Sequence, residues 1–350
     1  MKKLLSLSLV LAISVAMFAG CAKTGAPNAS APANTQTPAA SESKTVTVYS
    51  PHPAEAINAG VKEFQEKTGI KVDIVAAGTG ELLKRIEAET GNPLGDVLWG
   101  GGADSLSAYS KFFEKYTPKD ISALDPKYID VNGYWMGESP LPMIIMYNKK
   151  LVAEKDVPQG WSDLTDSKWK GKIAYADPAK SGSSYTILCT MLTAFGKDDG
   201  KGWDFMKKFV ANLDGKILGS SSGVYKGIAD GEYSVGLTLE KEAANYIKAG
   251  ADVGIVYPKE GTSAVPDGIA IIKGAKNMNN AKLFIDFMLG KECQTMMATQ
   301  LNRRPVRTDI APPKGLQPLK DLKLVNYDFN WASGQKEAIM AQWKNVVIGK

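Results

Sequence analysis

The order of strand and helix patterns is the feature that most constrains the fold of this chain. The first predicted elements alternate along the sequence: strand 45–49, helix 54–67, strand 70–77, helix 81–89, strand 96–99 and helix 105–115. In the first helix, Ile57, Val61 and Phe64 share one face, and Gly69 follows its end. Strands that alternate with helices across short turns predict a mostly parallel sheet covered on both faces. We therefore expect an α/β fold.

The rest of the chain continues this alternation. The further predicted elements are strands 140–147, 172–176, 236–238 and 255–258 and helices 185–195, 202–213, 280–289, 291–300 and 335–346. We expect the first of these strands to cross between two domains and strand 255–258 to return to the first domain. The predicted domain 1 comprises residues 44–142 and 256–350, and domain 2 comprises the inserted residues 143–255.

The N-terminus has the features of an export signal. Two lysines precede an apolar run, at residues 4–18, that is shorter than the roughly 20 residues needed to span a membrane. Residues 18–21 (Phe-Ala-Gly-Cys) resemble a bacterial lipobox, which implies a lipoprotein signal peptide at 1–20 and acylation of Cys21. An ordinary signal with a coincidental cysteine is the alternative. The stretch from the lipidated Cys21 to residue 43 is rich in small and polar residues and predicts a flexible tether. We expect an extracytoplasmic protein anchored in the lipid bilayer through Cys21.

Charge and cysteine content exclude several classes of function. The formal net charge is +5, which becomes +3 when Lys2 and Lys3 leave with the signal. This charge is too small to indicate nucleic-acid binding. Cys189 and Cys293 lie in apolar helical patterns and are predicted to be buried thiols, with a disulfide as the alternative. Neither has the Cys or His spacing of a zinc site.

Glycine and hydroxyl side chains follow the predicted strands, at the starts of helices. The residues of these turns that we predict to face a ligand are Ser50, His52, Thr79, Gly80, Gly101, Gly102, Ser181, Gly182, Ser183, Ser184, Ser221, Ser222 and Gly223. Each turn taken alone is explained by helix capping. Together they predict a cleft for a small oxyanion, because free N–H groups and the helix dipole favour an anion at a helix start.

Several stretches resemble the extracellular solute-binding proteins of ABC importers. They are residues 50–52, 80–83, 95–101, 161–164, 169–173, 176–182, 266–270 and 281–294. The resemblance is strongest to the ferric-ion-binding group and to its branch that binds phosphonates or sugar phosphates. It implies a type II periplasmic-binding-protein fold, in which two α/β domains close around a ligand. It also implies a monomer that delivers a small anionic solute to a membrane permease and needs no cofactor.

The iron-binding members of this family have a first-loop histidine, an acidic residue after the third strand and two adjacent tyrosines. His52 matches the first feature, but Leu-Glu-Lys-Glu at 239–242 stands where the tyrosines are expected. Without two phenolates, Fe(III) lacks its hard anionic donors. Iron therefore remains the alternative ligand, and we predict no metal site.

The phosphonate and sugar-phosphate branch matches the sequence better. By that resemblance Ser181–Ser184 hold a phosphoryl group, with Ser221, Ser222 and Gly223 as further donors. His52 adds a proton-dependent donor, and Glu240 and Asp267 hold hydroxyl or amino groups of the ligand. Surface capping is the alternative for Glu240, and a turn is the alternative for Asp267. Arg303 and Arg304 are predicted to be an exposed pair.

An enzymatic function has weaker support. Residues 219–223 fit the G-x-S-x-G pattern of a nucleophile elbow, with Ser221 as the nucleophile. That fold places its histidine after the serine, whereas His52 precedes it. We therefore expect a binding protein and not an enzyme, with a secreted serine hydrolase as the remote alternative.

Overall fold

The computed structural model describes residues 43–349, which build two β-sheets covered by helices. The predicted signal peptide, the acylated Cys21 and almost all of the tether lie outside these residues. The strands are β1 (Thr45–Ser50), β2 (Lys71–Ala76), β3 (Val97–Gly102), β4 (Phe113–Glu114), β5 (Met136–Pro140), β6 (Met143–Asn148), β7 (Ile173–Ala174), β8 (Val235–Leu239), β9 (Val253–Val256) and β10 (Pro266–Ile272). The α/β prediction is confirmed.

The helices fill the connections between these strands. They are α1 (Ala54–Thr68), α2 (Thr79–Ala88), α3 (Ala103–Ala108), α4 (Gly182–Phe195), α5 (Lys201–Leu213), α6 (Ser221–Ala229), α7 (Glu240–Lys248), α8 (Met278–Met288), α9 (Lys291–Leu301), α10 (Phe329–Gly334) and α11 (Lys336–Val347). The apolar spacing of α1 buries Ile57 and Phe64. The helix ends at Gly69, whose φ of 68° lets its N–H bond to the Gln65 carbonyl.

The first sheet has the order β2-β1-β3-β10-β4, with β5 also paired to β10. β1 is parallel to β2 and β3, whereas β10 is antiparallel to each of its neighbours. Val46 and Val48 face the core beneath α1 and α8, while Tyr49 lies in the core beside α2. This sheet and α1, α2, α3, α8 and α9 are called the first lobe below.

The second sheet has the order β7-β8-β6-β9. Its central strand β6 is apolar throughout because both of its faces are buried. Met143 and Ile145 lie in the core with α4 and α5, and Ile144 and Met146 lie in the core with α6. This sheet and α4 to α7 are called the second lobe.

Two paired chain segments connect the lobes, in addition to the later segment between α9 and α11. The run predicted as one strand over 140–147 is divided between β5 of the first sheet and β6 of the second. The return segment lies between β9 and β10, and the two segments bond to each other. The Leu141 N–H donates to the Val265 carbonyl at 3.3 Å, and the Met143 N–H donates to the Ser263 carbonyl at 3.2 Å. Paired extended segments of this kind form a hinge.

Two expectations about the second lobe were wrong. The strand predicted at 255–258 does not return to the first domain, because β9 pairs with β6 in the second sheet. The assignment of all of 256–350 to domain 1 also fails for α11. Its apolar face packs Ile339 and Trp343 into the second lobe's core, where Trp343 lies edge-on to Tyr175 with ring centroids 5.8 Å apart.

Both cysteines are buried and free, as predicted. Burial raises the pKa of each thiol, so both remain protonated at neutral pH. Among residues 43–349, no helix is both long and apolar enough to cross a bilayer.

Candidate functional site

A cavity of about 310 Å³ lies between the two lobes, beyond the ends of the strands. Ten of the residues predicted to face a ligand line it: Ser50, His52, Thr79, Gly101, Ser181, Gly182, Ser183, Ser221, Ser222 and Asp267. These residues come from both lobes and from seven separate connections or strands. The structure therefore brings together most of the loops that sequence analysis selected.

Five helices begin at the wall of this cavity. Their contributions to the lining are Pro53 before α1, Thr79 of α2, Gly182 of α4, Ser221 of α6, and Lys241 and Glu242 of α7. The first N–H groups of a helix have no partner inside it, and the helix dipole is positive at that end. Five such ends around one small cavity create an environment that favours an anion.

Serine side chains cap two of these helices. Ser181 Oγ accepts the N–H of Ser184 at 3.3 Å, and Ser220 Oγ accepts the N–H of Gly223 at 3.3 Å. Each cap is also within hydrogen-bond distance of the serine two residues later, Ser183 at 3.0 Å and Ser222 at 2.9 Å. Residues 181–183 and 220–222 together are called the hydroxyl end of the cleft. Capping and ligand contact are therefore compatible here, since Ser183, Ser221 and Ser222 still line the cavity.

Two glycines, one from each lobe, make room for Thr79 at this site. A Cβ on Gly182 would lie 2.9 Å from Thr79 Oγ1, and one on Gly101 would lie 2.6 Å from Thr79 Cγ2. Gly101 also has a φ of 86°, which other residues adopt with strain. Thr79 therefore fits between the lobes only because glycine stands at both positions.

Another part of the cavity wall carries charged groups. His52, Lys241, Glu242 and Asp267 line it, and they are called the charged end of the cleft. Lys241 Nζ lies 3.4 Å from Asp267 Oδ2 and 3.7 Å from a carboxylate oxygen of Glu242. Burial raises the pKa of Glu242, and the nearby Lys241 opposes that shift. These contacts join α7 of the second lobe to β10 of the first.

Behind the charged end lies a buried arginine. Arg303 pairs with Glu138 and, at 3.2 Å, with Asp267. Arg304 forms a two-bond pair with Glu240, at 2.7 and 2.8 Å. Both arginines are buried, so the expectation of an exposed pair was wrong. The charges of distant carboxylates, which the sequence does not reveal, draw both side chains inward.

The surroundings of His52 favour its neutral form, so it does not gain a proton near neutral pH. Burial is the main cause that lowers its pKa well below the ordinary value, and the charges of Arg303 and Lys241 add to the effect. Its Nδ1 lies 3.8 Å from Asp267 and its Nε2 lies 3.9 Å from Glu138. Near neutral pH it offers one N–H and one lone pair, so the predicted proton-dependent role is corrected to that of a neutral donor and acceptor.

Five predicted site residues do not line the cleft: Gly80, Gly102, Ser184, Gly223 and Glu240. Gly80 packs against the Ala179 carbonyl of the other lobe. The N–H groups of Ser184 and Gly223 bond to the capping serines Ser181 and Ser220. Gly102 precedes α3 beside Asp104 and Thr186. Glu240 is neither a surface cap nor a ligand contact, because Arg304 and the Tyr257 hydroxyl occupy its carboxylate.

Eleven further lining residues were not selected from the sequence, and five of them have polar side chains: Lys180, Ser220, Tyr225, Lys241 and Glu242. Lys180 and Ser220 are directly next to residues that were selected, so the same turn patterns could have predicted that they face the ligand. In the first turn of α7, sequence analysis placed the expected iron-site tyrosines and selected Glu240 as a ligand contact. In that turn Lys241 and Glu242 face the cleft and Glu240 faces Arg304, a distinction that needs the helix orientation.

The charged end does not have the character of an iron site. His52, Glu138 and Asp267 each offer a donor atom, and these atoms lie within 4.8 Å of one another. However, Arg303 already neutralises both carboxylates. Tyr225 is the one tyrosine in the lining, and burial raises the pKa of its phenol. The donor set thus lacks the phenolate pair that Fe(III) favours.

Ser221 does not have the surroundings of a catalytic nucleophile. It is the first residue of α6, and no hydrogen bond between its hydroxyl and His52 is found in the part of the chain described. His52 instead faces Asp267 and Glu138. A nucleophilic serine needs a base within hydrogen-bond reach.

Comparison with known proteins agrees with this two-lobed architecture. The model of the family of bacterial extracellular solute-binding proteins matches residues 59–323. A structure of the periplasmic binding protein AfuA from Actinobacillus pleuropneumoniae, with exogenous fructose-6-phosphate bound, is 31% identical. It superposes with a TM-score of 0.82 over 87% of this chain and 99% of that chain.

Two curated relatives differ in what their names say they bind. A putative 2-aminoethylphosphonate-binding periplasmic protein of Salmonella typhimurium is 29% identical, over 71% of this chain and 73% of its own length. Iron uptake protein A1 of Synechocystis is 24% identical, over 81% of each chain. The type II periplasmic-binding-protein fold is confirmed, and the chain belongs to the family of bacterial extracellular solute-binding proteins.

Proposed function

We propose that this solute-binding protein of an ABC importer captures a phosphorylated organic compound or a phosphonate in the cleft and delivers it to a membrane permease. The observation that carries the proposal is the convergence of five helix N-termini on one cavity of about 310 Å³. A phosphoryl group has three oxygens that accept hydrogen bonds, and uncapped helix amides and hydroxyls supply donors for them.

The hydroxyl end is the proposed position of the phosphoryl or phosphonyl group. Ser183, Ser221 and Ser222 line the cavity at the starts of α4 and α6, and Thr79 lies at the start of α2. Hydroxyl and amide donors are neutral, so an anion can bind them without first displacing a carboxylate from an ion pair. The lining lysines, in contrast, are balanced in number by Glu242 and Asp267.

The charged end is the proposed position of the rest of the solute. Carboxylate oxygens of Asp267 and Glu242 accept from hydroxyl or ammonium groups, and Lys241 donates to a hydroxyl oxygen. The buried His52 Nε2 has no hydrogen-bond partner among residues 43–349. A ligand hydroxyl at this position would satisfy it. The proposed solute is therefore an anion at one end and a carrier of hydroxyl or amino groups at the other.

The names of two relatives support this choice. The AfuA structure holds a sugar phosphate, and the Salmonella relative is named for an aminophosphonate. Both kinds of solute have the two-ended chemistry that the cleft offers. The iron-named relative supports the alternative ligand, for which the cleft supplies only one tyrosine.

Closure and anchoring complete the proposal. The lobes touch beside the cleft, where the Gly80 N–H donates to the Lys180 carbonyl at 3.3 Å, and we propose that closure of the lobes encloses a bound solute. We propose further that the protein is a monomer and that acylated Cys21 and the tether keep it near its permease. Cys21→Ser should release the protein from the membrane fraction and leave its ligand affinity unchanged.

A thermal unfolding screen tests the ligand class. A ligand that binds only the folded protein raises its stability by RT ln(1 + [L]/Kd), which is about 2.7 kcal/mol at a hundredfold excess over Kd. The panel comprises fructose 6-phosphate, glycerol 3-phosphate, 2-aminoethylphosphonate and Fe(III). We expect one of the phosphorus compounds to stabilise the protein most. Strongest stabilisation by Fe(III), with a visible phenolate colour, would contradict the proposal.

A further inference from the structure

A second cavity, of about 480 Å³, lies beside the cleft. Thr79 and Gly182 line both cavities and form the partition between them. The other walls belong to α2 and α3 of the first lobe, to Pro178 and Ala179 of the second, and to the junction of α10 and α11. The cavity is thus bounded by both lobes and by the C-terminal helices.

The wall of this second cavity carries one excess positive charge. Its charged residues are Lys84, Glu87, Lys111, Lys336 and Glu337. Apart from Lys336, the lining contains two lysines, Lys84 and Lys111, whose charges are balanced in number by Glu87 and Glu337. Lys336 is partly buried, and no ion pair recorded for residues 43–349 includes it.

The contacts of Lys336 leave its charge uncompensated at short range. Its Nζ donates to Ser105 Oγ at 2.6 Å and lies 3.8 Å from the centroid of the Tyr185 ring. Asp104 is the acidic group that acts on it. However, Asp104 Oδ2 already accepts the hydroxyls of Tyr327 at 2.5 Å and Thr186 at 3.0 Å. An ammonium group without a carboxylate within 4 Å, at the wall of a cavity, is placed to receive an anion.

Part of the remaining lining is apolar. Leu83, Tyr109, Phe112 and Met340 supply this surface. We propose that the second cavity is a binding site for a small organic anion with an apolar body, whose carboxylate pairs with Lys336 and whose body packs against Tyr109 and Phe112. The ligand class differs from that of the cleft, where hydroxyls and helix N-termini dominate the lining.

Benzoate is the probe for this site, because it joins a carboxylate to an aromatic ring. Isothermal titration of the purified protein with benzoate should show binding at one site. Lys336→Met should weaken that binding at least about 30-fold, since it removes one partner of a partly buried ion pair. Lys344→Met, on the exposed face of the same helix, should leave it unchanged.

A second variant keeps the test independent of Lys336 and its structural contacts. Ala108 lines the cavity, and Ala108→Leu would fill part of it while leaving Lys336, Ser105 and Tyr185 in place. This variant should also abolish benzoate binding, while Lys336→Arg should retain it. Absence of benzoate binding to the unaltered protein, or binding that survives both Lys336→Met and Ala108→Leu, would overturn the proposal.

Because both lobes line the second cavity, its occupant should favour the arrangement in which the lobes touch. This part of the inference rests on the proposed function of the cleft. Saturating benzoate should tighten binding of the phosphorus compound selected by the thermal screen about fivefold or more. An unchanged affinity would overturn the coupling, and it is distinguishable from failure of the cleft proposal, in which that compound does not bind at all.

Discussion

The two ends of the cleft are held in place by interactions that join residues at very different separations in the sequence. At the hydroxyl end, Ser181 and Ser220 bond to backbone groups three residues away. At the charged end, Arg303 meets Glu138, which is 165 residues distant in sequence, and Lys241 meets Asp267 across the lobes. The hydroxyl end is therefore assembled by each helix separately. The charged end needs contacts between distant segments of the first lobe, and its Lys241–Asp267 pair also joins the two lobes.

This difference implies different responses to substitution. A serine at the hydroxyl end that does not cap a helix, such as Ser183, can be removed with little effect on its neighbours, so its loss should affect the ligand more than the fold. A charge removed from the charged end leaves other buried charges without partners, and that penalty falls on folding. The experiments below separate the two ends by measuring stability and affinity on the same variants.

Arg303→Met should have the largest effect. It leaves Glu138 and Asp267 buried without their shared cation, which should lower the free energy of unfolding by about 3–5 kcal/mol. Urea denaturation measures the change. The matched control is Lys207→Met, which removes an exposed pair with Asp204 and should cost no more than about 1 kcal/mol. Similar costs for the two variants would mean that the charged end does not support the fold.

Ser183→Ala should affect mainly the ligand. A hydrogen bond to a charged group contributes about 1.5–3 kcal/mol, so affinity for the phosphorus compound should fall by about 10-fold to 150-fold. The free energy of unfolding should change by no more than about 0.5 kcal/mol. Ser333→Ala, whose hydroxyl bonds a backbone carbonyl outside the cleft, is the control in calorimetric titration. A loss of stability without a loss of affinity would place Ser183 in the fold rather than in the site.

Gly80→Ala tests whether closure is required at the rim. A Cβ on Gly80 would overlap the Ala179 carbonyl oxygen of the other lobe, whereas a Cβ on Gly219 would meet nothing within 4 Å. If the lobes cannot close fully, a smaller fraction of the molecules can bind the ligand. A tenfold smaller fraction weakens the apparent affinity tenfold, which is about 1.4 kcal/mol of binding free energy. Titration of Gly80→Ala against Gly219→Ala measures this effect. Equal affinities would show that the contact between Gly80 and the second lobe is not needed for capture.

His52→Gln should give the smallest effect, visible only as a dependence on pH. Burial lowers the pKa of His52 in the folded state, so below about pH 6.5 the unfolded chain binds the proton first. Stability should therefore fall as the pH falls below that value, by up to about 1.4 kcal/mol per pH unit. His52 is the one histidine in the sequence, so the difference in urea midpoint between wild type and variant isolates it. An identical pH dependence would mean that His52 titrates normally.

Sequence patterns predicted the hydroxyl end because its signals are local. A buried strand followed by Ser or Gly and an apolar helical stripe identifies a strand-to-helix turn, as at Ser181 and Ser221. The parallel order of such turns places them at one edge of a sheet. The same reasoning predicted the α/β fold, the longer helices α1, α4, α5, α8, α9 and α11, and the burial of Cys189 and Cys293. It gave no spans for α6, α7 and α10, and the helix predicted at 105–115 ends at Ala108.

The charged end was missed because its signals are long-range. Nothing near Arg303 or Arg304 in the sequence indicates a buried position, since the partners are Glu138 and Glu240 in distant elements. Helix orientation decides which of the adjacent residues Glu240, Lys241 and Glu242 faces the cleft. The path of the C-terminal helix α11 onto the second lobe was likewise a consequence of packing around Trp343.

The most direct test of the proposed function is a pair of calorimetric titrations on the wild-type protein. One uses the phosphorus compound that the thermal screen selects, and the other uses the same compound without its phosphoryl or phosphonyl group. Loss of several charge-assisted hydrogen bonds at the hydroxyl end should make the second compound bind at least about 100-fold more weakly. Equal affinity for the two compounds would contradict the assignment of the hydroxyl end to the anion.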